Sequence, residues 1–278
     1  MIVQEATRGA GRWWSSYRHH REGGIPMSVN HSLSGRTVLV GAGAKNLGGL
    51  ISTTVATQGA NVVVHYHSDA TAPDARRTLK AIEEAGGKGF LVQGDLSQVA
   101  DVERLFTTAK DHFGGIDVAV NTAGMVLRKP IVETTEEEYD RMFAVNSKAA
   151  YFFLREAGRH LNDGGRIVTV LTSLLAAFTD GYSTYAGAKA PVEHFTRAAA
   201  KEFAVRGISV NSVAPGPMDT PFFYAQETPE RVAFLKSQGL GGRLTEVEDI
   251  VPLVVFLATE GGWISGQTIF ANGGFTTR

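Results

Sequence analysis

The segment "STYAGAKAPVEHF" (183–195) sets Tyr185 four residues before Lys189. On a helix, positions i and i+4 share a face, so an ammonium can stand beside a phenol. A free phenol titrates near ~10 and is a poor base at neutral pH. A neighbouring cation favours the phenolate and draws that value down, which suits a tyrosine to moving a proton. Upstream, "VLTSLLAAF" (170–178) puts Thr172 and Ser173 at the end of a buried strand. A hydroxyl there can bind a substrate oxygen that Tyr185 also reaches. A second constellation comes earlier. "RTVLVGAGAKNLGGLIS" (36–52) runs an apolar strand through a glycine cluster into an amphipathic segment. Strand–turn–helix layouts of this kind present backbone N–H groups to a phosphate. The glycines stand at 41, 43, 48 and 49, however, and Asn46 occupies the place of the third glycine of G-x-G-x-x-G.

These groups need elements to hold them. Short β-branched runs recur at 37–41, 61–66, 88–93, 116–121, 166–171, 208–213 and 267–271. Between them lie segments of helical spacing, such as 99–113, 135–161, 184–205 and 246–258. Strands alternating with helices predict one α/β domain, a doubly wound seven-stranded parallel sheet with helices on both faces. Such sheets bind ligands outside the carboxyl ends of the strands. Small or polar residues stand at those ends: Gly41–Asn46, Asp95, Asn121–Gly124, Thr172–Ser173 and Pro215–Thr220. The Pro- and Gly-punctuated stretch 214–245 breaks the rhythm, and an insertion of this sort covers a ligand site.

Composition narrows the function classes. The 278 residues are 43% hydrophobic, enough for a sizeable core, and the net charge of −1 argues against nucleic acid or a membrane surface held by bulk charge. With no cysteine, disulfides, thiolate metal sites and thiol catalysis are excluded, and the composition suits the cytoplasm. The longest apolar run, "IVPLVVFLA" (250–258), is far short of the ~20 residues of a membrane span and reads as a buried helix. Residues 1–26 are rich in Arg, Gly and Ser without periodicity. They divide the chain into a disordered extension (1–30) and a catalytic domain (31–278), although an Arg-rich, acid-poor arm also suits targeting or partner binding.

With these motifs in order, the chain resembles the classical short-chain dehydrogenase/reductase family over residues 34–278. The elements that carry the likeness are "GAGAKNLG", "GDLS" (94–97), "NTAG" (121–124), "VNSKAAYFF" (145–153), Ser173 with Tyr185-x-x-x-Lys189, "APGPMDT" (214–220) and "SGQTIFANGG" (265–274). The resemblance implies a Rossmann-type fold and an NAD(P)-dependent enzyme that interconverts a carbonyl and an alcohol. Its catalytic tetrad falls on Asn146, Ser173, Tyr185 and Lys189. In these roles Tyr185 moves the proton, Ser173 orients the oxygen, Lys189 binds the nicotinamide ribose and depresses the Tyr185 pKa, and Asn146 holds a water. The dinucleotide is implied to lie on Gly41, Gly43, Lys45, Asn46, Leu47, Tyr66, His67, Ser68, Asp95, Leu96, Asn121, Ala123, Gly124, Tyr185, Lys189, Pro215, Gly216, Met218 and Thr220.

Departures from the family pattern are informative. Gly41 replaces the usual Thr, while Ala42 and Asn46 replace two loop glycines. Ser173 stands 12 residues before Tyr185, one fewer than the commonest family spacing, and Thr172 at 13 is a second candidate hydroxyl. Pro191 removes a hydrogen bond from the Tyr185 helix and can bend it.

At the end of the second strand an acid would bind the ribose 2′-hydroxyl and favour NAD. Tyr66 stands there instead, and Lys45 can meet a phosphate, so NADP(H) is favoured over NAD(H). His65 and His67 lack a third ligand and read as a solvated or cofactor-facing pair, with no metal. Val126, Phe178, Tyr182, Met218, Phe222, Phe223 and Tyr224 form a candidate apolar lining for a small carbonyl or alcohol with an apolar body. The family likeness adds a homotetramer or homodimer. Two rival readings are a 3-oxoacyl-carrier-protein reductase, with Arg128–Lys129 as the docking patch, and a non-catalytic NADP(H)-sensing regulator.

Overall fold

The computed structural model describes residues 32–277, and the expectations placed on residues 1–30 lie outside them. Seven strands follow one another as β1 (Thr37–Gly41), β2 (Asn61–Tyr66), β3 (Lys88–Gln93), β4 (Ile116–Asn121), β5 (Leu161–Val170), β6 (Ser209–Pro215) and β7 (Thr268–Ala271). They form one parallel sheet in the order β3-β2-β1-β4-β5-β6-β7. The connecting helices are α1 (Asn46–Thr57), α2 (Ala72–Glu84), α3 (Val99–Phe113), α4 (Glu136–Phe143), α5 (Ala149–His160), α6 (Ser183–Glu202), α7 (Pro221–Tyr224), α8 (Pro229–Gln238) and α9 (Val247–Ala258). This is the doubly wound Rossmann arrangement.

Every residue of β1 and β6 is buried, which is why these strands read as unbroken apolar runs. The two-residue period of a strand then divides the core. Val38, Val40, Val62 and Val64 pack on one face with Leu47, Ile51 and Val55 of α1 and Ile250, Val254 and Leu257 of α9. Leu39, Val63, Ala119 and Ile167 face the opposite way, toward Phe106 of α3 and Phe153 of α5. The two phenyl rings meet edge to face at 4.9 Å. Each such side chain contributes about 1.5–3 kcal/mol by leaving water. The run 250–258 lies in α9, and among the described residues no helix is long and apolar enough to cross a membrane.

Helix boundaries differ from the periodicity in places that matter for the site. The segment expected as one helix over 135–161 is divided by a π turn, Ala144–Lys148, that joins α4 to α5. Strand β5 starts at Leu161 rather than Arg166, pairing with Ile116 before the register shifts to Arg166↔Val118. Gly164, at φ 76°, lets the intervening chain loop out. Pro191 sits inside α6 without ending it.

Because β1 lies between β2 and β4, the chain changes direction of travel across the sheet there. The loops after β1 and β4 therefore part above the carboxyl ends and leave a crevice.

Candidate active site

The loop from β1 into α1 forms one wall of that crevice. Ala42 (φ 55°) and Asn46 (φ 49°) are the two non-glycine residues with positive φ among those described, and both stand where the family pattern has glycine. Side chains from the sheet hold this loop. The Ala42 N–H donates to His65 Nδ1 at 3.0 Å, the Gly43 N–H donates to His65 O at 2.9 Å, and Thr122 Oγ1 donates to Gly41 O at 2.8 Å. A Cβ at Gly48 would stand 2.2 Å from Ala42 O, so only glycine lets α1 approach so closely. Lys45, the N-cap of α1, makes no side-chain cap, which leaves amide donors of the first turn for an anion. Narrow loop, uncapped helix start and open cleft together fit a dinucleotide phosphate.

The cleft above this loop is lined by Lys45, Asn46, Leu47, Gly48, Tyr66, His67, Gly124, Tyr185, Lys189, Met218 and Thr220, as well as Thr71 and Thr122. For the other residues expected to bind the cofactor, the structure shows contacts within the protein. Gly41 is fully buried in β1, and Gly43 packs beneath the loop against Ser52. Leu96 belongs to the core. Asn121 is 2% exposed and accepts the Ala123 N–H, a local turn bond. Asp95 accepts the Ser97 N–H at 3.0 Å and faces His67 and Arg141 at 3.9 and 3.7 Å. Ser68 is tied to Thr71 in a capping box, and Thr71 is the one that reaches the cleft. Pro215 and Gly216 line the neighbouring cavity instead.

His65 is the clearest correction to the pair reading: it is neither solvated nor cofactor-facing. It is 3% exposed, with Nδ1 accepting from the loop and Nε2 2.9 Å from Gly94 O. That pattern requires the neutral Nε2–H tautomer. Burial lowers its pKa to about 4, so it stays neutral at physiological pH. His67 does face the cleft.

Tyr185 lines both this cleft and a second, apolar cavity of about 100 Å³ beside it. Thr172, not Ser173, is the hydroxyl that acts on its phenol, lowering its pKa against the effect of burial. Ser173 is 1% exposed and donates to Ala214 O at 3.0 Å. The cause is local: Thr172 caps the 3-10 turn Ser173–Leu175, accepting the Leu174 N–H, while the Ser173 hydroxyl is engaged by Ala214 O. The 13-residue spacing was the available signal.

Lys189 Nζ donates to Val170 O at 3.0 Å and Ala123 O at 3.3 Å, bracing β5 against the loop after β4. Burial pushes Lys189 down to about 8 and Tyr185 up to about 12, the latter offset only by the Thr172 bond. The expected depression of the phenol by Lys189 is therefore not what the protein does by itself; desolvation wins. Asn146, inside the π turn, donates to Met125 O and Met142 O and accepts the Met125 N–H. Its side chain holds the loop after β4.

The apolar cavity is lined by Val126, Tyr182, Met218, Phe222 and Phe223, as expected, and also by Leu174, Leu235 and Phe275. Phe178 is fully exposed and Tyr224 is 41% exposed, so neither contributes. Tyr224 turns outward to bond Asp219. Part of the lining is polar, with Thr179, Gln226, Glu227 and Arg231. Arg128 joins them behind the wall, 3.8 Å from Glu227. No period in the insertion marks Glu227 or Arg231, and only the fold brings them here.

Comparison with known proteins agrees with this geometry. A sequence profile for a family described as Enoyl-(Acyl carrier protein) reductase matches residues 41–276. The chain is 37% identical to the NADPH-dependent aldehyde reductase-like protein, chloroplastic, of Arabidopsis thaliana over 258 residues, 87% of this chain and 95% of the relative. Its fold matches the crystal structure of a dehydrogenase from Burkholderia cenocepacia with bound NADP at a TM-score of 0.89 and 52% identity, covering 94% of this chain and 99% of the other. A short-chain dehydrogenase/reductase from Serratia marcescens matches at a TM-score of 0.84 and 32% identity, covering 89% and 100%. With the Tyr–Lys pair, the glycine loop and the sheet order already in place, these likenesses show that the chain belongs to the classical short-chain dehydrogenase/reductase family.

Proposed function

We propose that the protein is an NADP(H)-dependent oxidoreductase that interconverts a carbonyl and an alcohol on a small substrate with an apolar body. The observation that carries this reading is Tyr185, buried with Lys189 on one helix and lining both a phosphate-ready cleft and an apolar cavity that Thr172 also lines. The cofactor, when bound, supplies or accepts the hydride. Lys45, the first amides of α1, Tyr66, His67, Thr71 and Lys189 would hold it. Tyr185, raised to about 12, keeps its proton at neutral pH and gives it to the carbonyl oxygen during reduction. Thr172, rather than Ser173, orients that oxygen. Lys189 fixes the wall between cleft and sheet, and Asn146 is a positioning residue for Met125.

Preference for NADP(H) over NAD(H) is supported by Tyr66 in the place of an acid and by Lys45, 53% exposed at the cleft. Asp74 stands 3.6 Å from Lys45 and must share it with a 2′-phosphate. Arg128 and Lys129 are engaged within the chain, Lys129 with Glu138 at 2.9 Å, which weighs against their docking an acidic carrier. Exposed Tyr151 and Trp263 support assembly as a homodimer or homotetramer, and the cytoplasm is the proposed compartment.

Replacing Tyr185→Phe is expected to lower kcat for carbonyl reduction by at least about a hundredfold, the scale of general acid catalysis. NADPH affinity should stay within a few-fold. Wild-type turnover in this variant would remove the assignment, and firm NADPH binding with no turnover of any ketone or alcohol by the wild type would favour the regulator.

A further inference from the structure

The cavity lining holds two polar groups, Tyr185 with Thr172 and Glu227 with Arg231, among apolar Val126, Met218 and Phe222. The second group is built but incomplete. Glu227 has a side chain only 1% exposed, and its Oε1 accepts the Tyr182 hydroxyl at 2.5 Å. Its Oε2 has no hydrogen-bond partner, and neither do Arg128 Nε and Arg231 Nε, all shielded from solvent. These three atoms face one another: Oε2 is 3.8 Å from Arg128 Nε and 3.6 Å from Arg231 Nε, beyond hydrogen-bonding reach. The Nη2 atoms of both arginines are engaged elsewhere. Arg231 Nη2 donates to Thr179 Oγ1 at 2.7 Å, and Asp180 lies 3.5 Å from each arginine on the outer side.

We propose that this second group is a binding site for a hydroxyl group of the substrate. Resting on the oxidoreductase reading above, this narrows the substrate class to a carbonyl compound whose apolar body also carries a hydroxyl. The unmet set is two N–H donors and one acceptor oxygen. A hydroxyl offers the complement, one O–H donor and two lone pairs. It donates to Glu227 Oε2 and accepts from Arg231 Nε–H, the two whose residues line the cavity. A ketone there would leave the carboxylate oxygen unmet, a carboxylate would meet it with like charge, and an ammonium would face two guanidiniums. Leaving buried polar atoms unpaired is costly, so a ligand that completes them gains over one that does not. Glu227 and Arg231 belong to the insertion of α7 and α8, whereas Arg128 follows β4.

Two ketone pairs of different length test this with NADPH: acetophenone against 4′-hydroxyacetophenone, and 4-phenylbutan-2-one against 4-(4-hydroxyphenyl)butan-2-one. In the wild type the hydroxyl should raise kcat/KM at least about tenfold in one pair, equivalent to about 1.4 kcal/mol. Glu227→Leu should bring that ratio toward one, with Glu227→Gln between. Because the ratio is taken within each variant, a general loss of folding or turnover cancels. A wild-type ratio near one in both pairs, or a wild-type ratio retained in Glu227→Leu, overturns the hydroxyl site and leaves the reductase reading standing. Absence of turnover for all four ketones, with NADPH bound, removes the reductase reading and this site with it.

Discussion

Thr172 and Ser173 are adjacent hydroxyls with opposite fates. Thr172 touches the phenol that moves the proton, and Ser173 satisfies a carbonyl of β6. Thr172→Val should thus reduce kcat/KM by about tenfold to a hundredfold while Ser173→Ala costs mainly stability, about 1 kcal/mol for one hydrogen bond. Steady-state kinetics and urea melts on the two variants separate the roles, and the reverse pattern would restore Ser173. Ala42 is strained in the other sense. An L-residue in the left-handed region costs about 1–2 kcal/mol, part of which glycine returns to unfolded-chain entropy. Ala42→Gly is expected to stabilise by about 0.5–1 kcal/mol, read as a rise of about 1–3 °C in melting temperature. A lower melting temperature would mean that the methyl group packs rather than strains. Sequence alone reached Tyr185, Lys189 and the loop, because spacing and glycine content encode them. It could not choose between neighbouring hydroxyls, since which one faces the phenol depends on the cap of a three-residue turn.

At the scale of elements, β2 grips the loop after β1 through His65. The ring accepts from Ala42 only while neutral, and its folded pKa of about 4 lies below the ~6.5 of an exposed histidine. Between those values the unfolded chain takes up the proton first, so stability is full above about pH 6.5 and falls as pH drops toward 4. Between pH 7 and pH 5 the loss should be about 2 kcal/mol, from about 1.4 kcal/mol per pKa unit. Urea melts at the two pH values measure it, and an equal loss in His65→Gln would assign the effect elsewhere. The strand itself was legible as "NVVVHY", a run buried on both sides, but that pattern also hid the histidine. A polar residue at a buried strand end reads as a surface group until the loop folds over it. The π turn in the 135–161 segment was invisible for a related reason, since one extra helical residue leaves the apolar spacing on either side intact.

Across the whole molecule, the cleft unites loops from β1, β2, β4 and β5 with the insertion after β6. Ligand that spans so many segments binds the folded chain alone, and at a hundred times its Kd stabilises it by about 2.7 kcal/mol. For a domain of this size that is a rise of about 5–10 °C in melting temperature. A thermal-shift titration should give this rise with NADPH at lower concentration than with NADH, and the opposite order would reverse the cofactor preference. The seven strands were readable because a parallel sheet covered on both faces leaves near-continuous apolar runs. The polar part of the substrate cavity was not, because Arg128, Tyr182, Glu227 and Arg231 come from three connections that share no period.

The loop of Ala42 and Asn46 also has a stereochemical meaning. Strand β1 before it and helix α1 beyond its first residue are built of the ordinary hand, yet Ala42 and Asn46 adopt the mirror region. A left-handed residue leading into right-handed ones, as where Asn46 opens α1, turns successive N–H groups toward a common centre, a concave nest that neither a strand nor a helix can make. Glycine reaches this shape freely. This chain reaches it with alanine and asparagine, and so carries a few restrained amides in place of a flexible glycine hinge, with the cradle already curved before any anion arrives.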